Sequence, residues 1–330
     1  SIPSKLLQLN CTSFPTAMLR FAVLPVVGTI ATNFLSTPSL SHYSWLSLVA
    51  SIMHRPSIQD PSEENLCVDG KLLPRLYVLG AKNSGTSSLW SDLKSGGVWT
   101  APANGKEKEW FFFKVLWQHT NATNEDAVRS LWLSSFLACP ESGTLMGDFT
   151  VPNLFVVPVP PGFRHSAEFG FPAKHDSVAL WDTAALLRRF YGGEARRVQF
   201  VIMLREPLAR MQSEYYHTRS LHNCMGCMAN ETFADSLDLS TALATRSPPE
   251  VTDWLWKSMY ARQIEAYLKA WEPGQFMILP FRRYTALDTA GASAALIRRM
   301  RLRLRPWAKA AHDNEHQDRP TLAGDVPEGA

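Results

Sequence analysis

The chain has 330 residues, 45% of them hydrophobic and 19% charged, with a formal net charge of +3. That length suits one large domain with appendages, and that composition supplies a sizeable core. The weak positive balance does not suggest general nucleic-acid binding, which usually shows as a strongly basic domain, and five cysteines are too few for a disulfide scaffold.

The first 59 residues contain no Asp or Glu, carry Lys5, Arg20 and Arg55, and hold an apolar run from Phe21 to Leu35. That run falls short of the roughly 20 residues of a full span, and it contains Pro25 and Gly28. Three readings fit residues 1–55. The preferred one is a signal-anchor with Lys5 and Arg20 on the cytosolic side. The others are an acid-free, Ser-rich organellar transit segment and an N-terminal extension that is flexible or partly buried. The chain opens on Ser1 without an initiator Met, which points to a trimmed or incomplete start. Residues 56–70 read as a linker, 71–305 as the folded domain and 306–330 as a polar tail.

Within the folded domain the segment from Leu76 to Leu89 is the most informative. An apolar, β-leaning run feeds a loop bracketed by Gly80 and Gly85, and the loop enters a helix pattern with Leu89, Trp90 and Leu93 on one side. Strand, loop and helix in that order aim backbone N–H groups and a helix N-terminus at an anion. The glycine spacing fits the phosphate loop of nucleotide triphosphatases, but Thr86 stands where their Lys follows the second glycine. An ordinary strand-to-helix turn is the plain alternative. Further strands are expected over Arg75–Leu79, Val198–Leu204 and Gln275–Pro280. Helices are expected over Thr86–Lys94, Asp182–Phe190, Pro207–Leu221, Asp253–Trp271 and Ala290–Leu302, and residues 156–176 read as a loop. Alternating strands and helices predict an α/β fold, a P-loop-like parallel sheet flanked by helices on both faces.

Val198–Leu204 ends in Arg205, and Pro207 takes the first turn of the next helix. Arg210, Ser213 and His217 share one face of that helix. Arg205 supplies forked donors and Ser213 a hydroxyl, a pair suited to one phosphate. An Arg capping a neighbouring helix and a surface Ser is the alternative. Two strand-end anion sites in one parallel sheet suit a nucleotide with phosphates at both ends. Cys224 and Cys227 form a lone CxxC pair, read as a local disulfide or buried thiols rather than a zinc site. Sequons at Asn10, Asn121 and Asn230 nudge the reading toward a secretory compartment.

On these motifs the chain resembles the sulfotransferases that use 3′-phosphoadenosine-5′-phosphosulfate (PAPS). Their 5′-phosphosulfate loop is G-x-x-K-x-G-T-[TS]-x-L, matched here by Gly80, Gly85, Thr86, Ser87 and Leu89. Their 3′-phosphate motif, R-x-P-x-x-R-x-x-S-x-Y, is matched by Arg205, Pro207, Arg210, Ser213 and Tyr215. The continuation through Tyr215, His217 and Arg219 is similar to the heparan sulfate N-sulfotransferase domain. Lys108-Glu109-Trp110-Phe111-Phe112-Phe113 resembles the K-E-x-x-F-F segment of the heparan sulfate branch, whose Glu is the catalytic base. Gly147 to Asn153 is a looser echo of that branch's E-K-[ST]-P-x-Y segment. The similarity runs from about Pro74 to about Arg299, most of the folded region.

The chain departs from the pattern in three places. Asn83 stands at the loop Lys position, with Lys82 one place early. Asp148, Phe149 and Leu154 replace the Glu, Lys and Tyr of the E-K segment, and Val151 is extra. No clear basic cofactor loop follows near the C-terminus; the run from Arg298 to Arg305 reads as a solvated face or as an attraction for a polyanionic glycan. The resemblance implies transfer of a sulfuryl group from PAPS, a co-substrate, to a hydroxyl or amine of a carbohydrate acceptor resembling a glycosaminoglycan, with no metal. It implies Glu109 as base, with Lys82 and His217 beside it as catalytic residues. It implies that Lys82, Asn83, Ser84, Gly85, Thr86, Ser87, Arg205 and Ser213 bind PAPS. Trp110 reads as core or as a sugar platform. The implied setting is a lumenal domain anchored in the Golgi membrane. Competing expectations are a non-catalytic glycan or nucleotide binder of the same fold, and a phosphotransferase using ATP.

Overall fold

The structure, a computed structural model, describes residues 65–102, 108–113, 125–141, 144–158, 164–165, 182–220, 232–245, 250–251 and 253–286. The expected N-terminal segment 1–55, the helix 290–302, the tail 306–330, Cys224, Cys227, the three sequons and the Arg298–Arg305 run lie outside the described residues. The expected linker gives way to folded chain by Asn65. Leu66 is fully buried, and β1 (Cys67–Val68) and β2 (Lys71–Leu72) form an antiparallel hairpin across Asp69 and Gly70. Cys67 is disulfide-bonded to Cys139, a pairing across a sequence separation of 72 that was not anticipated.

β3 (Leu76–Gly80) is buried along its whole length. After it come α1 (Thr86–Ser95), β4 (Trp99–Thr100), α2 (Glu125–Ser134), β5 (Met146–Asp148), β6 (Arg164–His165) and α3 (Thr183–Tyr191). β7 (Gln199–Leu204), α4 (Pro207–Ser220), α5 (Phe233–Ala244), β8 (Glu250–Val251), α6 (Asp253–Trp256), α7 (Tyr260–Ala270), β9 (Phe276–Pro280) and α8 (Phe281–Ala286) complete the order. The central sheet has five strands in the order β4-β5-β3-β7-β9, and every pairing in it is parallel.

A parallel strand buried on both faces reads as an unbroken apolar run, as Leu76–Leu79 and Phe200–Leu204 do. Side chains alternate across it. Leu76, Val78, Val201 and Met203 pack on one face against Leu89 and Leu93 of α1 and Tyr284 of α8. On the other face Tyr77 meets Tyr191 of α3, and Phe200 meets Tyr267 of α7 and Trp271. Helices therefore cover both faces, the expected α/β arrangement. Complete burial of each such side chain contributes roughly 1.5–3 kcal/mol before its ordering entropy is subtracted.

The helix expected over Asp253–Trp271 is two helices. Its carbonyls are captured at the break: Arg210 donates to Trp254 O and Gln263 Nε2 donates to Trp256 O. Lys257 turns inward to Glu214 at 2.8 Å, so the chain reorients before α7 begins. Among the described residues no helix is long and apolar enough to cross a membrane.

Candidate active site

The chain runs outward from β3 to the sheet edge, returns through β5 and then crosses to β7 on the opposite side of β3. Such a reversal opens a crevice at the carboxyl ends of the strands, where α/β folds bind ligands. The Gly80–Ser87 loop lies there. Its backbone takes positive φ at Gly80 (145°), Asn83 (61°) and Gly85 (83°). Asn tolerates that region better than most residues. At Gly85 a side chain is excluded twice over, because a Cβ would also lie 2.7 Å from the Phe281 ring. Gly85 offers α1 no side-chain cap and the first turn holds no acid, leaving the helix N-terminus to other partners.

The two loops expected to bind phosphate are joined. Ala81 N–H donates to Met203 O at 2.7 Å, tying the end of β3 to β7. Arg205 donates to Asn83 O at 3.2 Å, and Asn83 Nδ2 donates to Ser213 O at 3.4 Å. The Arg205 guanidinium also lies over the Phe281 ring, 5.1 Å from its centroid. Ser213 is buried and His217 half-buried on α4.

Beneath α4 lies a buried charge cluster. Glu214 accepts from Arg210 at 2.6 Å, from Lys257 at 2.8 Å and from Lys82 at 3.0 Å. Burial alone would raise the pKa of this carboxyl, but Lys257, Arg210 and Lys82 together hold it well below the usual carboxylate range. Arg210 also donates from Nε to Ser258 Oγ and from Nη2 to Trp254 O. This second Arg of the motif is therefore a framework residue, and the Lys82 ammonium is turned to Glu214.

The 108–113 segment reaches the start of α1. Lys108 Nζ lies 3.0 Å from Thr86 Oγ1, 3.2 Å from Ser87 Oγ and 3.1 Å from Glu109 Oε1. Burial pushes the Lys108 ammonium's pKa down, with Glu109 working the other way. Trp110 N–H donates to Thr150 Oγ1 at 2.9 Å, and Thr150 N–H donates to Asp148 Oδ1 at 2.7 Å, so the end of β5 holds this segment in place. Burial pushes the Asp148 carboxyl up to about 6, against the Thr150 and Asn153 hydrogen bonds that pull it down, and the nearby Glu109 adds to the rise. The Trp110 ring packs on Phe112 and Phe136, with centroids 4.9 Å and 5.1 Å away, and is thus part of an aromatic cluster.

The structure therefore brings together the Gly80–Ser87 loop, Arg205, Ser213 and Glu109, with Lys82 paired to Glu214. Sequence reasoning did not place Lys108 at the loop, although it stands beside Glu109 in the motif quoted for the base. Chemically, the crevice offers a guanidinium, an ammonium, hydroxyls and helix N–H groups to an anion, with a carboxylate alongside.

No family model matches the chain, and no curated protein matches it. Among solved structures it is similar to a crystal structure of a sulfotransferase from Alicyclobacillus acidocaldarius, at 19% sequence identity and a TM-score of 0.46, over 74% of this chain and 86% of that one.

Proposed function

We propose that the protein moves a sulfuryl group from PAPS to a hydroxyl or amine of a carbohydrate acceptor. One observation carries the reading: the Gly80–Ser87 loop and Arg205 meet at neighbouring strand tips, 3.2 Å apart, with the Glu109 carboxylate beside the same loop. The donor has a phosphate at each end. The loop N–H groups and the Thr86 and Ser87 hydroxyls suit the 5′ end, and Arg205 with Ser213 suits the 3′ end.

In the reaction the acceptor oxygen or nitrogen attacks sulfur as the bond from sulfur to the 5′-phosphate oxygen breaks. The acceptor's proton passes to Glu109, and adenosine 3′,5′-bisphosphate leaves. A loose transition state places growing negative charge on the departing phosphate, so catalysis consists of positioning and charge stabilisation. His217 is proposed as an acceptor contact. The resemblance to the heparan sulfate branch supports a glycosaminoglycan-like acceptor, and the Cys67–Cys139 disulfide supports an oxidising compartment such as the Golgi lumen.

The test is transfer of radiolabelled sulfate from PAPS across a panel of glycans, steroids, phenols and peptides. Glycans are expected to accept label, and Glu109→Gln is expected to cut the rate by about 10²–10⁴. Label on none of the panel, or an unimpaired Glu109→Gln enzyme, overturns the reading. The Glu214-bound Lys82 and the neutral Asn83 favour a second reading, a non-catalytic binder. It predicts bisphosphate binding without transfer. Tighter binding of ATP than of adenosine 3′,5′-bisphosphate would instead support a phosphotransferase.

A further inference from the structure

Thr86 and Ser87 are the first two residues of α1, the positive end of its dipole. A cation is disfavoured there, yet Lys108 places its ammonium within 3.2 Å of both hydroxyls. The side chain is only 15% exposed. Burial also opposes the charge, and Glu109 is the carboxylate that offsets it. The helix dipole and the buried ammonium at its end together identify an arrangement that an anion completes.

The inference rests on the donor-binding reading given above. We propose that Lys108 supplies, from a separate segment of the chain, the ammonium that the loop lacks at Asn83, and that it grips the 5′-phosphate end of the donor. The same ammonium holds Glu109 at 3.1 Å. When it turns to the donor's phosphate it releases that carboxylate, so donor binding readies the base for the acceptor's proton. The order of events then follows from charge: donor first, acceptor deprotonation second.

Calorimetry with two nucleotides tests this. Adenosine 3′,5′-bisphosphate presents both phosphates; adenosine 3′-monophosphate lacks the one assigned to Lys108. Lys108→Gln is expected to weaken the bisphosphate by about 10- to 100-fold, the value of a charge-assisted hydrogen bond, and to leave the monophosphate unchanged. Adding Asn83→Lys to Lys108→Gln is expected to restore the bisphosphate. A wild-type measurement guards against misfolding of the variants: acetic anhydride labelling, read by mass spectrometry, should show Lys108 protected by the bisphosphate and not by the monophosphate. Unchanged discrimination in Lys108→Gln, or equal labelling under both nucleotides, overturns the role of Lys108 while leaving donor binding intact. Wild-type protein that binds neither nucleotide overturns the donor reading itself.

Discussion

Asp148→Asn isolates the cost of the buried carboxyl at the end of β5. Asp148 is 3% exposed and accepts from Thr150 N–H and, at 3.5 Å, from Asn153 Nδ2. Burial raises its pKa from 3.8 to about 6. At about 1.4 kcal/mol per pH unit, that gap makes the ionised side chain cost the fold about 3 kcal/mol. Below pH 3.8 the group is protonated in both states and costs nothing. As pH rises the unfolded chain loses its proton first, so stability falls until about pH 6, where the folded carboxyl ionises too and the cost levels off. Asn keeps an acceptor for Thr150 N–H and carries no charge. Urea unfolding of both proteins, followed by circular dichroism from pH 4 to pH 8, should show the variant gaining about 2–2.5 kcal/mol relative to wild type across that window, the rest of the cost having accrued below pH 4. The slope carries the test, since the new amide N–H must also find an acceptor. Parallel stability curves would refute the reasoning.

Glu214→Gln should destabilise the protein by about 3–5 kcal/mol at pH 7, because Arg210 and Lys257 would stay buried without their counter-charge. The pKa of Glu214 is depressed in the fold, so its contribution is present above the ordinary carboxylate pKa and is lost as pH falls; urea titrations at pH 7 and pH 3 should show the gap between the two proteins closing. Gly85→Ala, at φ 83° and against Phe281, should cost about 1–3 kcal/mol in thermal unfolding and weaken adenosine 3′,5′-bisphosphate binding in calorimetry. Replacing Cys67 and Cys139 together by Ser should remove about 2–4 kcal/mol, and reductant should do the same to wild type, both read as lowered urea midpoints.

The long central strands were legible because burial on both faces leaves an unbroken apolar run: β3, β7 and β9 fall within a residue of their expected starts. β5 was not, since Met-Gly-Asp has little strand propensity and is held by the ladders on either side. Gly147 belongs there for space: a Cβ would lie 2.9 Å from Val98 Cγ1 and from Phe149. α2 left a signal that was not used, Glu125 and Asp126 in the first turn with Val128 and Trp132 one turn apart on the buried side. That Arg205 lies against the loop and Glu109 near it could be anticipated from motif spacing. The contacts of Lys108 with Thr86 and Ser87 and of Lys82 with Glu214 could not be read, because spacing says nothing about a lysine arriving from another segment or about a buried carboxylate that pairs with the nearer one.

Phe281 and Tyr284 give the protein an order of assembly. The Phe281 ring fills the space beside Gly85 and lies over Arg205, and Tyr284 donates to Asp92 on α1. During synthesis the loop near the start of the domain therefore emerges long before the residues that brace it. A ribosome-bound fragment ending before β9 would lack that bracing, so the crevice matures late, once α8 has docked.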